Sequence, residues 1–261
     1  MYKHIEEIAL NSWPSLQTYV VDGWLLRFAE GYTKRSNSVS PIYGDCTDDV
    51  ELHARIDEVE RLYQKAGLNT IFKMTPFVQP VALTEVLAAR GYVEVEPSSV
   101  RKLELQHIAS PELQCHITAV LSEEWLDNIA RMQGMSEQSV AVTRSLLASS
   151  MLEQGFAILY SGGMPVACGL GVMERGYMGL YDIVTDERCR KQGYGEQLVR
   201  HLLRWGLSKG AHTCYLLVVL SNGPALKLYD KVGFQEIYTY SYWVKPDRQA
   251  DISSHGEGEA T

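Results

Sequence analysis

A short segment that combines basic residues with closely spaced glycines is the strongest candidate for chemistry in this chain. Residues 182–196 read as a strand, a polar loop and a helix start, and the loop carries Arg190, Lys191, Gly193 and Gly195. The start of a helix presents unpaired N–H groups and the positive end of the helix dipole, and glycine lets a ligand approach the backbone closely. The segment therefore predicts a phosphate-binding loop. A tight strand-to-helix turn that holds no ligand is the alternative.

Two common phosphate loops do not fit this spacing. A Walker A loop requires Gly-Lys-Ser/Thr, whereas Gly195 is followed by Glu196 and Gln197. A dinucleotide fingerprint requires a third glycine where this chain has Leu198. The pattern that remains is Arg-x-x-Gly-x-Gly, from Arg190 to Gly195.

The elements around the loop are predicted from hydrophobic periodicity and from turn residues. The second half reads strand–helix–helix–strand–strand–strand–helix–strand–helix–strand. The strands are expected at 115–120, 156–160, 166–172, 177–185, 214–220 and 234–244, and the helices at 123–132, 136–149, 195–209 and 224–231. The strand at 214–220 is almost continuously apolar, so we expect it to be central and covered on both faces.

The first half contains a smaller set of elements. Asp22-Gly23 indicates a hairpin between strands at 18–21 and 24–28. A helix capped by Asp48 or Asp49 is expected to end at Gly67. A strand at 69–72, a helix at 80–87 and a strand at 92–95 follow, and the polar segments 96–99 and 107–111 read as turns.

Two motifs in the second half together resemble those of a known family. The first is the loop from Arg190 to Gly195, and the second is Asn222, a helix that carries Tyr229, and then Gly233-Phe234. Their order, with an amphipathic helix and an apolar strand between them, resembles the GNAT superfamily of N-acetyltransferases. The strand pattern extends this resemblance over about 115–244. It implies an α+β fold of the three-layer α/β type, with two GNAT-like mixed sheets flanked by helices.

The two halves also share a weak internal repeat. The segment 83–92 parallels 225–234, and the helix and strand that precede each segment match in order. The repeat predicts a tandem arrangement with a GNAT-like N-terminal domain at 1–110, a catalytic domain at 111–245 and a flexible tail at 246–261. The first half has Leu87 at the position of Tyr229, and its expected loop holds four acidic residues that would repel pyrophosphate, namely Asp45, Asp48, Asp49 and Glu51. We therefore expect a degenerate copy that shapes the acceptor pocket or acts as a scaffold.

The resemblance implies acetyl-CoA as cosubstrate and direct acetyl transfer to a primary amine in a ternary complex. A backbone N–H from the strand would polarise the thioester carbonyl, and the loop amides would hold the pyrophosphate.

Tyr229 is the candidate general acid, because a phenol with a pKa near ~10 stays protonated at neutral pH. The alternative is a core aromatic. Asp182 is a candidate base, or else a solvated or capping carboxylate. Asn222 is expected to bond the pantetheine or the strand end, and the alternative is a helix cap. The expected coenzyme-binding residues are Ile183, Val184, Thr185, Arg190, Lys191, Gln192, Gly193, Tyr194, Gly195, Glu196 and Asn222.

Composition limits the classes of partner. The formal net charge is −8, which argues against nucleic acid or an anionic membrane as the main partner. The five cysteines are far apart and the histidines show no ligand spacing, so we expect free thiols, no metal and a cytoplasmic location. The expected acceptor is a small-molecule or peptide amine, and the expected state is a monomer or homodimer. A non-catalytic acyl-CoA sensor is the alternative function.

Two further features of the first half bear on the acceptor. The polar run 31–38 is a candidate for acceptor contacts or an ordinary exposed strand end. Trp13 and Trp24 are assigned to the core.

Overall fold

A computed structural model describes residues 2–44 and 48–246. Asp45, one of the acidic residues of the first half, Cys46 and the predicted tail beyond Pro246 lie outside the described residues. The first half runs through helix α1 (Lys3–Ser12), strands β1 (Gln17–Val21), β2 (Trp24–Phe28) and β3 (Val39–Ser40), helix α2 (Asp49–Lys65), strand β4 (Ile71–Met74), helix α3 (Leu83–Ala89) and strand β5 (Val93–Glu104).

The second half contains the ten elements expected from the sequence, in the expected order. They are strand β6 (Cys115–Thr118), helices α4 (Glu123–Gln133) and α5 (Glu137–Ala148), strands β7 (Glu153–Ser161), β8 (Met164–Glu174) and β9 (Tyr177–Thr185), helix α6 (Tyr194–Ser208), strand β10 (Thr213–Val219), helix α7 (Gly223–Val232) and strand β11 (Gln235–Val244).

Local signals account for many of the helix ends. Asp48 caps α2 by accepting from the Val50 N–H at 2.9 Å. Ser122 caps α4 in the same way, and Gly134 ends that helix in the left-handed conformation, with φ of 66°. These residues match the preferred cap types, so short-range chemistry specifies where the helices begin and end.

The strands form one mixed sheet rather than the two that were expected. Its order is β1-β2-β3-β4-β11-β5-β10-β9-β8-β7-β6. The mixed α/β class with flanking helices is confirmed, but the two halves exchange their last strands. Strand β11 pairs with β4 and β5, and β5 also pairs with β10, in each case antiparallel. Each half therefore completes the sheet of the other, and the strand edges that would have separated two sheets are paired instead.

The turn predicted at 96–99 is wrong, because these residues lie inside β5. Ser99 pairs with Val218 on one side and Thr239 on the other. Glu96 has a φ of 51°, so the backbone is locally irregular next to Pro97. Pro97 cannot donate a hydrogen bond, but its carbonyl accepts from Leu220 N at 2.8 Å. Long-range pairing with two neighbours overrides the local turn chemistry.

Helices cover both faces of the second-half strands. One face packs against α1, α4 and α5, and the other packs against α6 and α7. Strand β10 lies between these layers and is buried over most of its length, as its apolar sequence predicted. Trp13 and Trp24 are 1% and 0% exposed, which confirms their assignment to the core. Helix α1, which the sequence analysis missed, buries Ile5, Ile8 and Ala9 at helical spacing.

Candidate functional site

The glycine-rich loop leads directly into helix α6. Lys191 and Gly193 adopt left-handed backbone conformations, with φ of 64° and 83°. Gly193 is the N-cap of α6 and receives no side-chain cap, and Gln197 N donates the first helical bond to its carbonyl at 3.1 Å. The N–H groups of residues 194–196 precede that bond, so they face outwards at the positive end of the helix dipole.

Space is available in front of this helix start. A Cβ built on Gly193 would meet no heavy atom within 4 Å. One built on Gly195 would lie 3.3 Å from Leu228 and 3.4 Å from the Thr185 hydroxyl, so that glycine fits closely between α7 and the end of β9. The arrangement fits a bound diphosphate at Gly193 and a closely packed backbone at Gly195.

Three other polar residues of the loop segment form hydrogen bonds or ion pairs with nearby side chains. Tyr194 donates to Gln192 Oε1 at 3.2 Å, and Arg190 lies 3.7 Å from the Glu187 carboxylate. Glu196 pairs with Arg200 at 2.9 Å and also with Lys231 of α7. Its charge is thereby neutralised by two cations beside the loop.

Asp186 anchors the loop to the rest of the domain. Its carboxylate accepts from Arg188 N at 3.1 Å and from the Arg188 guanidinium at 3.2 Å, and it also pairs with Arg131 of α4. Hydrogen bonds from Arg188 and then Arg131 hold the pKa of this carboxyl well below its usual range. The sequence analysis did not identify this anchor.

Strands β9 and β10 separate beside the loop. Their parallel pairing runs from Tyr177–Thr213 to Leu180–Leu216 and ends there. Beyond that point β9 keeps its bonds to β8 through Val184 and Thr185, while β10 stays paired with β5 up to Val219. The edge of β9 that faces β10 is therefore not paired with it at residues 181–185, and an unpaired strand edge is the kind of surface to which an extended segment can add.

A bulge in β9 determines where Asp182 points. Leu170 of β8 pairs with Tyr181 and Cys168 pairs with Val184, so two residues of β9 oppose Gly169. Asp182 has a φ of 50°, which is unusual for a residue other than glycine. The bulge turns its carboxylate towards α4, where Oδ1 accepts from Gln133 Nε2 at 3.4 Å. Strand alternation alone could not have given this orientation.

The other carboxylate oxygen of Asp182 is buried without a hydrogen-bond partner among the described residues. Burial raises the pKa of the Asp182 carboxyl above its ordinary value, and the guanidinium of Arg35 opposes that shift. A carboxylate with a raised pKa and a free oxygen has the properties of a general base.

Tyr229 lies on α7 against the core, with its ring 5.7 Å from that of Phe234 in an edge-to-face arrangement. It is 7% exposed, and burial raises the pKa of its hydroxyl to about 12. None of the described residues forms a hydrogen bond with this hydroxyl. It is therefore both a packed core aromatic and a proton donor that has no hydrogen-bond partner in residues 2–44 and 48–246.

The Asn222 side chain caps α7, since its Oδ1 accepts from Ala225 N at 3.2 Å. This is the cap expected as one of the two roles for Asn222. The cap uses only the side-chain oxygen, and Asn222 follows the end of β10 by three residues.

The first half contributes residues next to Asp182 that the sequence analysis did not single out. The ring of Trp13 stacks on that of Tyr181, with centroids 5.6 Å apart. The guanidinium carbon of Arg35 lies 5.8 Å from the Trp13 ring and 5.5 Å from the Tyr181 ring. Arg35 belongs to the polar run 31–38, so at least one residue of that run reaches the site. Only the tertiary arrangement reveals this, because Arg35 and Asp182 are 147 positions apart in the sequence.

A cavity of about 380 Å³ opens on the same side of the molecule. It is lined by residues of the loop after β2 and of α5, namely Glu30, Gly31, Tyr32, Thr33, Gln138, Ser139 and Val142. Tyr32 links it to the site, because burial and then the negative charge of Asp182 raise the pKa of the Tyr32 hydroxyl. The cavity is thus a candidate entrance for an acceptor.

The cysteines do not form a reactive centre within the described part of the chain. Burial raises the pKa of both Cys115 and Cys168 to about 12, and the described cysteines are free thiols. No cluster of His, Cys, Asp and Glu suited to a metal ion occurs in residues 2–44 and 48–246. In the same ranges, no helix has the length and apolarity required to cross a bilayer.

Comparison with known proteins gives matches along almost the whole chain. A family model described as the probable histone acetyltransferase Rv0428c C-terminal region matches residues 2–243. The chain is 29% identical over 248 residues to a Bacillus subtilis (strain 168) protein described as the uncharacterized N-acetyltransferase YobR, covering 93% of this chain and 98% of that protein.

Solved structures share the fold. A GCN5-related N-acetyltransferase from Kribbella flavida superposes with a TM-score of 0.68 at 17% identity, covering 91% of this chain and 92% of that one. A tandem GNAT protein from the clavulanic acid biosynthesis pathway gives a TM-score of 0.60 at 13% identity, covering 76% and 70% of the two chains. At such identities the likeness concerns the fold alone.

Proposed function

Since the chain belongs to the GNAT family of N-acetyltransferases, we propose that it binds acetyl-CoA at the start of α6 and acetylates a primary amine. The chain is an acyltransferase by that membership; the coenzyme, the site residues and the mechanism are our proposal. The observation that carries it is the uncapped, glycine-started helix α6 beside the unpaired edge of β9.

The loop and strand supply the binding groups in this proposal. The N–H groups of residues 191–196 hold the pyrophosphate, and Arg190 and Lys191 add positive charge. Ile183, Val184 and Thr185 pair their backbone with the pantetheine arm as if it were an added strand. When bound, the coenzyme supplies an acetyl thioester, and one N–H of this strand polarises its carbonyl.

Two side chains move protons. Asp182, directly or through a water molecule, takes a proton from the attacking amine, whose pKa of about 10.4 for a lysine-like group makes this step necessary. Tyr229 donates its proton to the departing sulfur as the new C–N bond forms and the C–S bond breaks. No enzyme nucleophile is required, in agreement with the raised pKa values of the buried cysteines.

The proposal is tested by titrating the purified protein with acetyl-CoA in a calorimeter and by following thiol release with panels of amines, amino acids and peptides. We expect saturable coenzyme binding and amine-dependent thiol release. Absence of coenzyme binding would refute the proposed site, and binding without release for any acceptor would refute the proposed reaction.

A further inference from the structure

The acceptor side of the site contains two buried polar atoms that lack partners. They are Nε of Arg35 and Oδ2 of Asp182, neither of which forms a hydrogen bond within the described residues. Burying a donor or acceptor without a partner destabilises the folded protein, so such groups indicate a missing partner.

Arg35 is held in place without a salt bridge, although the negative charge of Asp182 acts on it at longer range. Its guanidinium lies over the Trp13 and Tyr181 rings at 5.8 and 5.5 Å, and no carboxylate forms an ion pair with it within residues 2–44 and 48–246. Two other arginines of the first half do have carboxylate partners, since Arg61 pairs with Glu58 and Arg90 with Asp57, each at 2.6 Å. Arg35 is thus a cation in a fixed position whose Nε–H has no hydrogen-bond acceptor among the described residues.

The two unpartnered groups have opposite charge and complementary chemistry. A guanidinium is a planar fork of N–H donors that matches the two oxygens of a carboxylate. The free oxygen of Asp182 accepts hydrogen bonds, as an ammonium or amine group requires. A ligand with an amine at one end and a carboxylate at the other would satisfy both and would also match both charges.

We propose that the acceptor is an aminocarboxylate, whose carboxylate is bound by Arg35 and whose amine is presented to Asp182. This inference rests on the proposed acetyl transfer and narrows its substrate class. Arg35 then determines specificity, and the aromatic rings of Trp13 and Tyr181 hold it in the orientation that binds the carboxylate. The overall charge of −8 has no part in this choice, because the local cation decides which end of the acceptor enters.

The test measures how strongly the protein prefers an acceptor with a carboxylate over the matching amide, rather than the rate with one acceptor. Steady-state thiol release is recorded with acetyl-CoA and matched acceptor pairs, each an amino acid and the amide that lacks its negative charge. The amino acids range from α-amino acids to ω-amino acids of increasing length, together with a short peptide. The wild-type protein is expected to prefer the carboxylate over its amide in kcat/KM by on the order of 10- to 100-fold, the range of a charge-assisted hydrogen bond.

The variant Arg35→Gln is expected to bring this ratio close to one, and Arg35→Lys to keep part of it, because lysine retains the charge but not the fork. Lys34→Gln is the matched control, since it removes a neighbouring cation that pairs with Glu96, and it should leave the ratio unchanged. Acetyl-CoA affinity measured on each variant shows that the coenzyme site is folded.

The outcomes separate the two proposals. If no amine gives thiol release with the wild-type protein, the proposed reaction fails. If amines are acetylated but carboxylates and amides react equally, or if Arg35→Gln leaves the preference intact, the aminocarboxylate assignment is wrong while the reaction stands.

Discussion

The indole of Trp13 stacks on the phenol ring of Tyr181, with the centroids 5.6 Å apart and the planes 20° from parallel. Tyr181 immediately precedes the bulge at Asp182, and its hydroxyl lies 2.9 Å from that of Tyr215 in the core. A residue of the first half thus forms a wall of the site in the second half. In the proposed acetyl transfer this wall lies on the acceptor side, so the contact favours one of the two roles expected for the first half, which stays a prediction.

The helix start at Gly193 offers a matched pair of substitutions. Gly193 and Gly210 lie at opposite ends of α6, with φ of 83° and 87°, and neither has a heavy atom within 4 Å of a built Cβ. Gly193→Ala and Gly210→Ala should each lower stability by about 1–2 kcal/mol, the cost of a left-handed residue with a side chain.

Only Gly193→Ala should weaken acetyl-CoA binding, by at least about tenfold, which corresponds to about 1.4 kcal/mol. Calorimetric titration and thermal melts of both variants check this expectation. Equal coenzyme affinity in the two variants would contradict the placement of the pyrophosphate at Gly193.

Replacing Tyr229 by phenylalanine removes a hydroxyl and leaves the packed ring in place. If the hydroxyl protonates the departing thiolate, kcat should fall by on the order of 100-fold or more, as is typical for loss of a general acid. The dissociation constant for acetyl-CoA should stay within about twofold, because the ring still fills its site on α7. Steady-state kinetics and calorimetry measure the two quantities.

Tyr63→Phe is the control for that experiment. The Tyr63 hydroxyl donates to the Arg27 carbonyl at 2.9 Å in the core of the first half. Its loss should lower stability by about 1 kcal/mol and leave kcat unchanged. Unchanged turnover in Tyr229→Phe would exclude its role as the acid and would assign the proton to another donor.

Asp182→Asn tests the base through its pH dependence. Burial raises the pKa of Asp182 in the folded protein, so the carboxylate is lost as pH falls through that raised value. The wild-type kcat/KM should therefore fall over the same pH range. Asp182→Asn should have low activity, and its pH profile should lack this fall at low pH. Asp127→Asn, on the exposed face of α4, should keep the wild-type profile. An unaltered profile in Asp182→Asn would assign the proton to another group.

The same raised pKa predicts the effect of Asp182 on stability. The folded protein binds this proton more tightly than the unfolded chain does, so stability declines as pH rises from the unfolded pKa of about 3.9 to the folded value. Asp182→Asn removes that loss and should melt at or above the wild-type temperature at pH 7. A site residue whose removal stabilises the protein but lowers turnover is typical of function maintained at the expense of stability.

Short-range signals explain which parts of the fold could be predicted. The cap at Asp48, the periodicity of α2 and the glycine start of α6 depend on neighbours within a few residues, and all three lie where the sequence placed them. The apolar run of β10 likewise indicated its central position. Helix α1 carries the same kind of periodicity in Ile5 and Ile8 and could have been identified from it.

The features that were missed depend on contacts between distant segments. Strand β5 continues through Pro97 and Ser98 because β10 and β11 pair with it on both sides, and no local pattern indicates that exchange. The bulge at Asp182 and the position of Arg35 depend on the same tertiary arrangement. The polar run 31–38 was noted as a candidate, but its distance along the chain from β9 concealed which of its residues reaches the site.

The buried pair of Lys73 and Glu6 gives a prediction about how helix α1 is attached. Lys73 of β4 contacts Glu6 of α1 with side chains 2% and 0% exposed, and Glu6 also accepts from the Tyr238 hydroxyl at 2.8 Å. Lys73→Met leaves the Glu6 carboxylate buried without its cation and should lower the free energy of unfolding by about 3–5 kcal/mol. Adding Glu6→Gln should recover part of that loss, because the uncompensated charge is then removed.

The control is Lys34→Met, which breaks the exposed pair with Glu96 and should lower the free energy of unfolding by less than about 1 kcal/mol. Urea denaturation of the four proteins measures these differences, and a loss for Lys73→Met no larger than that for Lys34→Met would show that the buried pair does not hold α1 in place.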